Sequence, residues 1–394
     1  MNIKKVRKET PATKKIIHFN NAGASLMPQT VINKIQKYYK EEGRLGGYET
    51  ALKYNTELKE FYINAAKLLN CSSCEIAFVE NATRAWDMAI YSIPFSSGDK
   101  IITSMYEYGS NVISYLHLKK LYGIEICYIP NNQSGTIDLD MLEKNIDNKV
   151  KLIAITHMPT GSGVINPAEK IGAIAKKYNI TYLLDACQSV GQISIDVKKI
   201  QCDILSVTGR KYIRGPRGTG FLYVNKKILK NLEPPILDQH SALLISEKKY
   251  EILETAQRFE TWEQNCAAKI GLSTAIKYLL SIGIENIQNR NNMLANYLRE
   301  KLKTINGIEV IDLGEKKSAI VSFKTHLNID TLYQYLLKNN INTCISRGAG
   351  SLIDFKARNI EEALRCSIHY YNTKHEINIF IKILKQIHYQ DQDI

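Results

Sequence analysis

Between about residues 75 and 225, short runs of β-branched and apolar residues alternate with longer stretches whose apolar residues have helical spacing. This alternation predicts βαβ units and a largely parallel sheet, because parallel strands are joined by crossover helices. A helix is predicted over 167–178, which begins with proline and carries its apolar residues on one face. Seven strands are predicted, over 75–80, 100–105, 125–130, 151–157, 181–186, 203–208 and 220–224.

After about residue 263 the pattern changes to long helices with a few strands between them. Helices are predicted over 265–282, 285–304 and 373–389, and strands over 308–313, 319–324 and 341–346. This mixture predicts a smaller α+β domain after a larger α/β domain. The predicted organisation is an N-terminal arm over 1–22 that packs with the small domain, a large domain over 23–262 and a small C-terminal domain over 263–394.

Composition adds limits to this picture. The chain has 394 residues, 44% of them hydrophobic, which is enough for one large core and a second, smaller one. The net charge of +13 is spread along the chain, so it favours anionic ligands without indicating a nucleic-acid partner. The basic N-terminal segment lacks the apolar length of a signal peptide or of a membrane span. We therefore expect a soluble, cytoplasmic protein with no membrane or nucleic-acid partner.

The eight cysteines lie mostly inside apolar runs, so we expect reduced and buried thiols. Cys71 and Cys74 have the spacing of a zinc ligand pair. No second such pair and no paired histidines accompany them, so we expect no metal site.

Polar residues follow several predicted strands, at the edge where ligands of open α/β sheets bind. The small residues 81–83 begin a predicted helix and form either a phosphate cradle or an ordinary helix cap. Asp185 ends a buried strand, so its carboxylate needs a cationic ligand, a helix-capping role or a structural ion pair. Tyr108, in segment 107–111, supplies an aromatic ring at the same edge, or is one of the chain's 23 tyrosines at the surface.

The loop after the sixth predicted strand contains a candidate nucleophile. Lys211 lies in segment 209–220, a glycine-flanked turn rich in cations, and nearby cations make a lysine easier to deprotonate. The alternative for such a run is a solvated or RNA-contacting basic loop. Together, a phosphate cradle, an aromatic plate, a buried carboxylate for a pyridinium nitrogen and a lysine for an aldehyde are the requirements of pyridoxal 5′-phosphate (PLP).

On these residues the chain resembles the class V aminotransferase family, the fold-type I PLP enzymes that include cysteine desulfurases. The resemblance extends from HFNNAGASLMP to LRCSIHYYNTKHEI, and its core is LLDACQSVGQISIDVKKIQCDILSVTGRKYIRGPRGTGFLYV. It implies a large domain with a mostly parallel seven-stranded sheet, a smaller C-terminal α+β domain, and a homodimer with the active site at the subunit interface.

The resemblance also implies roles for single residues. Lys211 is the catalytic lysine, which binds the cofactor and moves the α-proton of an amino-acid substrate. Arg365 grips the substrate carboxylate, and Asn21, Tyr48 and Arg347 either contact the substrate or have no ligand role. The residues implied to hold PLP are Ala82, Thr83, Tyr108, Asp185, Gln188, Thr208, Arg210 and Lys211.

Three departures from cysteine desulfurases narrow the expected reaction. The stretch that matches their loop cysteine, 346–351, contains no thiol, and Cys344 precedes the arginine in a strand-like run. Tyr108 stands where desulfurases place a ring-stacking histidine. Arg210 stands where desulfurases have a histidine, and Glu263 stands where they have a threonine that the other subunit donates to the phosphate. We hypothesise that Arg210 contacts the phosphate and that Glu263 balances the charge of Arg210 across the dimer interface.

Short motifs, among them EYGSN, GPRG and the GGY at 46–48, are similar to hercynylcysteine sulfoxide lyases. The expected activity is therefore β-elimination by a C–S lyase from a cysteine conjugate or its sulfoxide. An aminotransferase or an amino-acid epimerase is the alternative, and a cysteine desulfurase is less favoured. A basic binding protein on an inactive scaffold is the non-enzyme alternative, and the joint presence of Lys211, Asp185 and Arg365 argues against it.

Overall fold

The structure is a computed structural model that describes residues 1–392; residues 393 and 394, the end of the predicted small domain, lie outside the described residues. The helices are α1 Ile3–Lys8, α2 Gln29–Leu45, α3 Gly47–Lys53, α4 Asn55–Leu69, α5 Ala82–Ile90, α6 Gly109–Tyr122, α7 Leu139–Lys144, α8 Ala168–Lys177, α9 Val197–Ile200, α10 Cys266–Ile282, α11 Ile284–Leu302, α12 Ile329–Lys338, α13 Leu352–Ala357 and α14 Lys374–Gln392. The strands are β1 Ile17–His18, β2 Ile76–Val79, β3 Lys100–Ser104, β4 Glu125–Ile129, β5 Val150–Thr156, β6 Thr181–Asp185, β7 Ile204–Thr208, β8 Gly220–Val224, β9 Ala242–Ser246, β10 Lys249–Ile252, β11 Ile308–Val310, β12 Ile320–Thr325, β13 Ile341–Asn342, β14 Cys344–Ser346 and β15 Ala363–Ser367.

Seven strands form the main sheet, in the order β2-β8-β7-β6-β5-β3-β4. Neighbouring strands are parallel except at β8, which is antiparallel to both β2 and β7. These are the seven strands that the sequence predicts, so the expected α/β fold with a mostly parallel sheet is confirmed. Strands β7 and β8 are buried along their whole length, as expected where helices cover both faces of a sheet.

Alternate side chains of each strand enter two different hydrophobic cores, because successive residues point to opposite faces of a sheet. In β6, Tyr182 and Leu184 belong to one core, and Leu183 belongs to the other. Helix α10 packs Leu272 and Ile276 into the first of these cores, beside α2 and α4.

The C-terminal part forms a second, antiparallel sheet in the order β11-β12-β15-β14. Its core takes side chains from α11, α12 and α14, and it also contains Phe19 from the N-terminal segment. Strand β1 pairs with β13, which ties that segment to the C-terminal part. The division into 1–22, 23–262 and 263–394 stays a prediction, and α10, predicted to begin the small domain, contributes to the core of the large sheet.

Several elements have no counterpart in the sequence prediction: the N-terminal helices α2 to α4, the β9–β10 hairpin and strand β15. Within residues 1–392 no single helix is long and apolar enough to cross a membrane, although α10 and α11 pass that test as a pair bent by 79°. In the same residues, no group of three or more His, Cys, Asp and Glu side chains is placed to hold a metal ion.

Candidate active site

A cavity of about 440 Å³ lies where the main strands end at their carboxyl side. Thr156, Asp185 and Ser206 stand opposite one another on β5, β6 and β7, so three parallel strands deliver polar side chains to one place. The cavity is lined by Asn81, Ala82, Thr83, Tyr108, Asn111, Thr156, Met158, Thr160, Asp185, Cys187, Gln188, Ser206, Thr208, Arg210 and Lys211.

The N-terminus of α5 forms one end of the cavity. Asn81 caps this helix, its side chain accepting the N–H of Arg84 at 2.9 Å. The N–H groups of Ala82 and Thr83 come before the first hydrogen-bonded turn, where a helix has no partners of its own for them. A side chain on Gly220 would lie 2.6 Å from the Val207 carbonyl, so glycine lets the helix start approach the sheet.

A cation stands at the same end. Arg210 donates to the hydroxyl of Thr208 at 2.8 Å. Together with the positive end of α5, this arrangement suits an anion with several oxygens, such as a phosphate. The arrangement therefore supports a phosphate site at segment 81–83. Asn81 also caps the helix, so both roles considered for this segment apply.

Lys211 lies beyond β7 with its Nζ 6.0 Å from the centre of the Tyr108 ring. Burial, followed by smaller effects from Arg210 and Arg365, lowers the pKa of Lys211, against opposing effects of Cys187 and Asp185. A lysine with a lowered pKa is more often a free amine, the form that attacks an aldehyde or accepts a proton.

Asp185 is buried and lines the cavity. One carboxylate oxygen accepts the N–H of Cys187 at 2.9 Å, and the other accepts the side-chain amide of Asn111 at 3.2 Å. No ion pair between Asp185 and a lysine, arginine or histidine of residues 1–392 is present. A buried carboxylate with two hydrogen bonds and no protein cation is suited to a cationic ligand.

Arg365 reaches the site from the second sheet, on β15. It donates to the hydroxyl of Thr160 at 2.6 Å and to the side-chain carbonyl of Asn20 at 3.0 Å, while its Nε has no partner among the described residues. Gln188 also donates to the Thr160 hydroxyl, at 3.2 Å, and its side-chain carbonyl oxygen has no hydrogen-bond partner among the described residues. Because buried polar atoms are normally paired, these two atoms indicate a polar ligand.

Besides Arg365, four residues named by the sequence analysis lie outside the cavity lining of this chain. Asn21 donates to the carbonyls of His18 and Ser367 and accepts from the hydroxyl of Tyr371, so its amide is used within the scaffold. Its neighbour Asn20 is the asparagine that faces Arg365.

The other three lie at the surface. Tyr48, on α3, is 74% exposed. Arg347 forms ion pairs with Asp330 and Glu362, so its charge is already balanced. Glu263 is exposed on the loop before α10 and does not meet Arg210 within this chain.

Sequence reasoning passed over Thr160 and noted Asn111 only as an amide at this edge of the sheet, and the structure places both at the site. Thr160 follows β5, and the rule that directed attention to polar residues after strands would have found it. Asn111 lies in the quoted segment 107–111, but its contact with Asp185 depends on how α6 sits on the sheet. A loop of the C-terminal part also reaches the site, since a side chain on Gly350 would lie 3.1 Å from Thr160 and 3.4 Å from Tyr108.

The residues present fit PLP. The start of α5 with Arg210 and Thr208 suits the phosphate, Tyr108 and Lys211 stand near each other, and Asp185 offers a carboxylate for a ring cation. The unpaired Arg365 Nε suits a carboxylate of an amino acid.

Comparison with known proteins gives consistent results. A family model described as Aminotransferase class-V matches residues 17–380. A probable cysteine desulfurase from Pyrococcus abyssi is 29% identical over 97% of this chain and 96% of its own length. The apo structure of a cysteine desulfurase from Thermococcus onnurineus NA1 is 28% identical, covers 98% of both chains and has a TM-score of 0.92.

A more distant structure shares the fold. The cystine C–S lyase C-DES, solved with its reaction product cysteine persulfide, is 20% identical, with coverage of 95% and 99% and a TM-score of 0.86. Another structure of C-DES contains glycine covalently linked to a PLP cofactor. At this identity the likeness shows the fold alone.

Proposed function

This chain belongs to the class V aminotransferase family and is a PLP-dependent enzyme, and from that premise we propose that it is a C–S lyase acting on a cysteine conjugate or its sulfoxide. The products expected from a cysteine sulfoxide are a sulfenic acid, pyruvate and ammonia. One observation carries the proposal: among residues 1–392, no reactive thiol is placed to take a sulfur atom from the substrate. The likeness to hercynylcysteine sulfoxide lyases agrees with it and stays a prediction from short motifs.

The cysteines support this proposal. The loop 347–351, which packs over Tyr108 and Thr160 through Gly350, contains no cysteine. Cys344, on β14 before that loop, is partly buried, and its thiol donates to the carbonyl of Ile345. Cys187 is the one cysteine in the cavity lining, and burial together with Asp185 raises its pKa well above the usual range. A thiol with a raised pKa is a poor sulfur acceptor, because the thiolate is the nucleophile.

The side chains divide the work of such a reaction. PLP, when bound, supplies an electron sink for the carbanion formed at the substrate α-carbon. Lys211 is the group with a lowered pKa that takes the α-proton, and Arg365 holds the carboxylate through its planar fork. Asp185 would hold the ring nitrogen of PLP, and Arg210 with the start of α5 would retain its phosphate. Loss of the sulfur group then needs no enzyme thiol.

The second candidate is a cysteine desulfurase, because both the Pyrococcus and the Thermococcus relatives have that name. A desulfurase transfers sulfur from cysteine and releases alanine, and it needs a thiol to carry the sulfur. The two candidates therefore differ in their three-carbon product: pyruvate for the lyase and alanine for the desulfurase.

The experiment that separates them uses the purified protein loaded with PLP. An S-substituted cysteine sulfoxide and free cysteine are supplied in turn, and pyruvate, ammonia and alanine are measured. We expect pyruvate and ammonia in equal amounts from the sulfoxide, none with Lys211→Ala, and an unchanged rate with Lys198→Ala, which changes an exposed lysine on α9. Alanine from cysteine would establish a desulfurase instead, and stable conversion of the cofactor to its amine form would establish an aminotransferase.

We also propose a homodimer with the active site at the subunit interface. Exposed apolar side chains lie together on the β9–β10 hairpin, including Leu243 at 62% and Leu244 at 68%, and Trp262 is 57% exposed. Exposed apolar side chains that follow one another along a hairpin support an interaction site there. A cytoplasmic location stays a prediction from the sequence.

In this dimer, Glu263 balances Arg210 of the other subunit. Neither residue forms an ion pair within residues 1–392, although Arg210 lines the cavity and Glu263 adjoins the exposed Trp262. Glu263→Ala is therefore expected to weaken PLP retention in dialysis, whereas Glu361→Ala, at an exposed glutamate of the C-terminal part, leaves it unchanged. Equal retention in both variants would contradict the pairing.

A further inference from the structure

A second carboxylate lies beneath the candidate active site, at the end of β3. Glu107 is 1% exposed and belongs to no role assigned above. Its two oxygens accept five hydrogen bonds. The donors are the Ser104 hydroxyl at 3.0 Å, the Thr156 N–H at 2.8 Å and hydroxyl at 2.9 Å, the Tyr115 hydroxyl at 3.3 Å and the Asn111 amide at 3.3 Å.

Asn111 bridges this carboxylate to Asp185. Its side-chain nitrogen donates to Glu107 Oε2 at 3.3 Å and to Asp185 Oδ2 at 3.2 Å. An amide group has two N–H donors, so one nitrogen serves both carboxylates. If the amide nitrogen and oxygen exchanged places, the oxygen would face two carboxylate oxygens and repel them. Glu107 therefore helps to fix the orientation of the Asn111 amide.

The surroundings of Glu107 contain acids and phenols. The titratable groups that face it are Asp185 on β6 and the phenols of Tyr115, Tyr128 and Tyr182, on α6, β4 and β6. No lysine, arginine or histidine of the described residues forms an ion pair with it. Burial raises the pKa of Glu107 to about 7, although the hydrogen bonds from Thr156 and Asn111 oppose that shift.

We propose that Glu107 is a positioning residue for the cofactor site: it holds the Asn111 amide toward Asp185 and, in its ionised form, places a second negative charge behind the Asp185 carboxylate. A negative charge behind Asp185 favours a proton on the nitrogen that Asp185 would face, because a nearby charge of opposite sign stabilises the protonated, cationic form. Neither effect needs contact between Glu107 and the cofactor. The inference rests on the proposed cofactor site and is independent of the reaction that the enzyme catalyses.

Glu107→Gln tests the proposal, since it keeps the shape, removes the charge and turns one acceptor atom into a donor that faces other donors. The visible band of the PLP-loaded protein is titrated with pH, and PLP affinity is measured by equilibrium dialysis. We expect the midpoint of the titration to move to lower pH by about one unit and the Kd for PLP to rise about tenfold. Glu260→Gln, at a buried glutamate outside the cavity, is the matched control and should leave the midpoint unchanged.

Asn111→Ala distinguishes positioning from a general loss of stability. Positioning through Asn111 predicts that adding Glu107→Gln to Asn111→Ala weakens PLP binding no further, whereas multiplied losses in the double variant would overturn the positioning role. Asn111→Ala also keeps the proposal testable if Glu107→Gln does not fold, since unchanged PLP affinity in that variant overturns it. An unshifted midpoint in folded Glu107→Gln overturns it too. A wild-type protein without a visible band would refute the cofactor site itself.

Discussion

At the scale of single residues, the loop of the proposed catalytic lysine is held by an unusual buried arginine. Arg214 has a φ of 64°, a left-handed conformation that costs energy in a residue with a side chain. Its guanidinium donates to the Leu26 carbonyl and to the hydroxyls of Tyr370 and Thr10. The Arg214 N–H donates to the carbonyl of Lys211 at 2.9 Å. The N-terminal segment and the C-terminal part are thereby both attached to the lysine loop.

The first prediction concerns Arg365, whose planar fork we expect to bind the substrate carboxylate. Arg365→Lys keeps the charge but replaces two parallel donors with a single ammonium, so we expect KM for the amino-acid substrate to rise about tenfold to a hundredfold. PLP binding should be unchanged, because Arg365 does not line the cofactor cavity.

Steady-state kinetics and the visible spectrum check this expectation. Arg290→Lys is a suitable control, because Arg290 also uses its fork, on the carbonyls of Tyr370 and Asn372, but outside the cavity. A rise in KM of similar size in both variants would show that the effect is structural.

A second prediction follows from His157, which is buried just after β5. Burial lowers the pKa of His157 to about 4, and its Nδ1 has no partner among the described residues. An unfolded chain takes up a proton on histidine near pH 6.5, and the folded protein does so only near pH 4. The stability that this difference provides is present above pH 6.5 and is lost as the pH falls toward 4, on the order of 3 kcal/mol in total.

Urea unfolding of the PLP-free protein at pH 7 and pH 5 measures this contribution. In His157→Gln the free energy of unfolding should fall less between the two pH values than in the wild type. His375→Gln, at an exposed histidine of α14, should retain the full decrease. Equal decreases in the wild type and His157→Gln would disprove the assignment.

At the scale of secondary structure, the sequence predicts elements whose apolar residues repeat regularly. The seven strands of the main sheet are short apolar runs bounded by polar residues, so periodicity alone locates them. Strand β15 is missed because Arg365 interrupts its apolar run, although the strand is fully buried. The β9–β10 hairpin is missed for a different reason: its apolar residues lie at the surface, where the relation between hydrophobicity and burial does not hold.

The site shows the same limit. Asp185 lies at the end of one predicted strand and Lys211 follows another, so position in the sequence indicates that they meet. The bridge from Glu107 through Asn111 to Asp185 joins the segment after β3 to α6 and β6, and it depends on how these parts pack. The spacing of these residues along the sequence does not predict that Asn111 contacts both carboxylates.

The third prediction concerns the contact between α6 and the loop 347–351. A side chain on Gly109, the first residue of α6, would collide with the carbonyl of Ala349. Gly109→Ala should therefore displace this loop from Tyr108 and raise KM for the substrate severalfold, and increase cleavage of the loop by a protease. Gly43→Ala, where a side chain meets nothing within 4 Å, is the control and should change neither property. Unaltered kinetics and proteolysis in Gly109→Ala would show that the loop does not close the site.

At the scale of the whole molecule, the site lies where three parts of the chain meet. The main sheet supplies Asp185 and Lys211, the second sheet supplies Arg365, and the N-terminal segment supplies Asn20. The geometry of substrate binding therefore depends on how the two sheets are held together. Asn20 pairs with Ser367, the last residue of β15, so the N-terminal segment is part of that connection.

The last prediction tests the dimer. Leu244 is 68% exposed on β9, and an aspartate there would place a charge in the proposed interface, where an unpaired charge is costly. We expect Leu244→Asp to shift the protein from dimer to monomer in light scattering and to weaken PLP retention together with it, because Glu263 of the other subunit would be lost. Leu337→Asp, on α12 and 44% exposed, should remain dimeric with normal retention. A monomeric Leu244→Asp that retains PLP fully would separate the two parts of the proposal: the hairpin would form the interface, but Glu263 would not serve the neighbouring site.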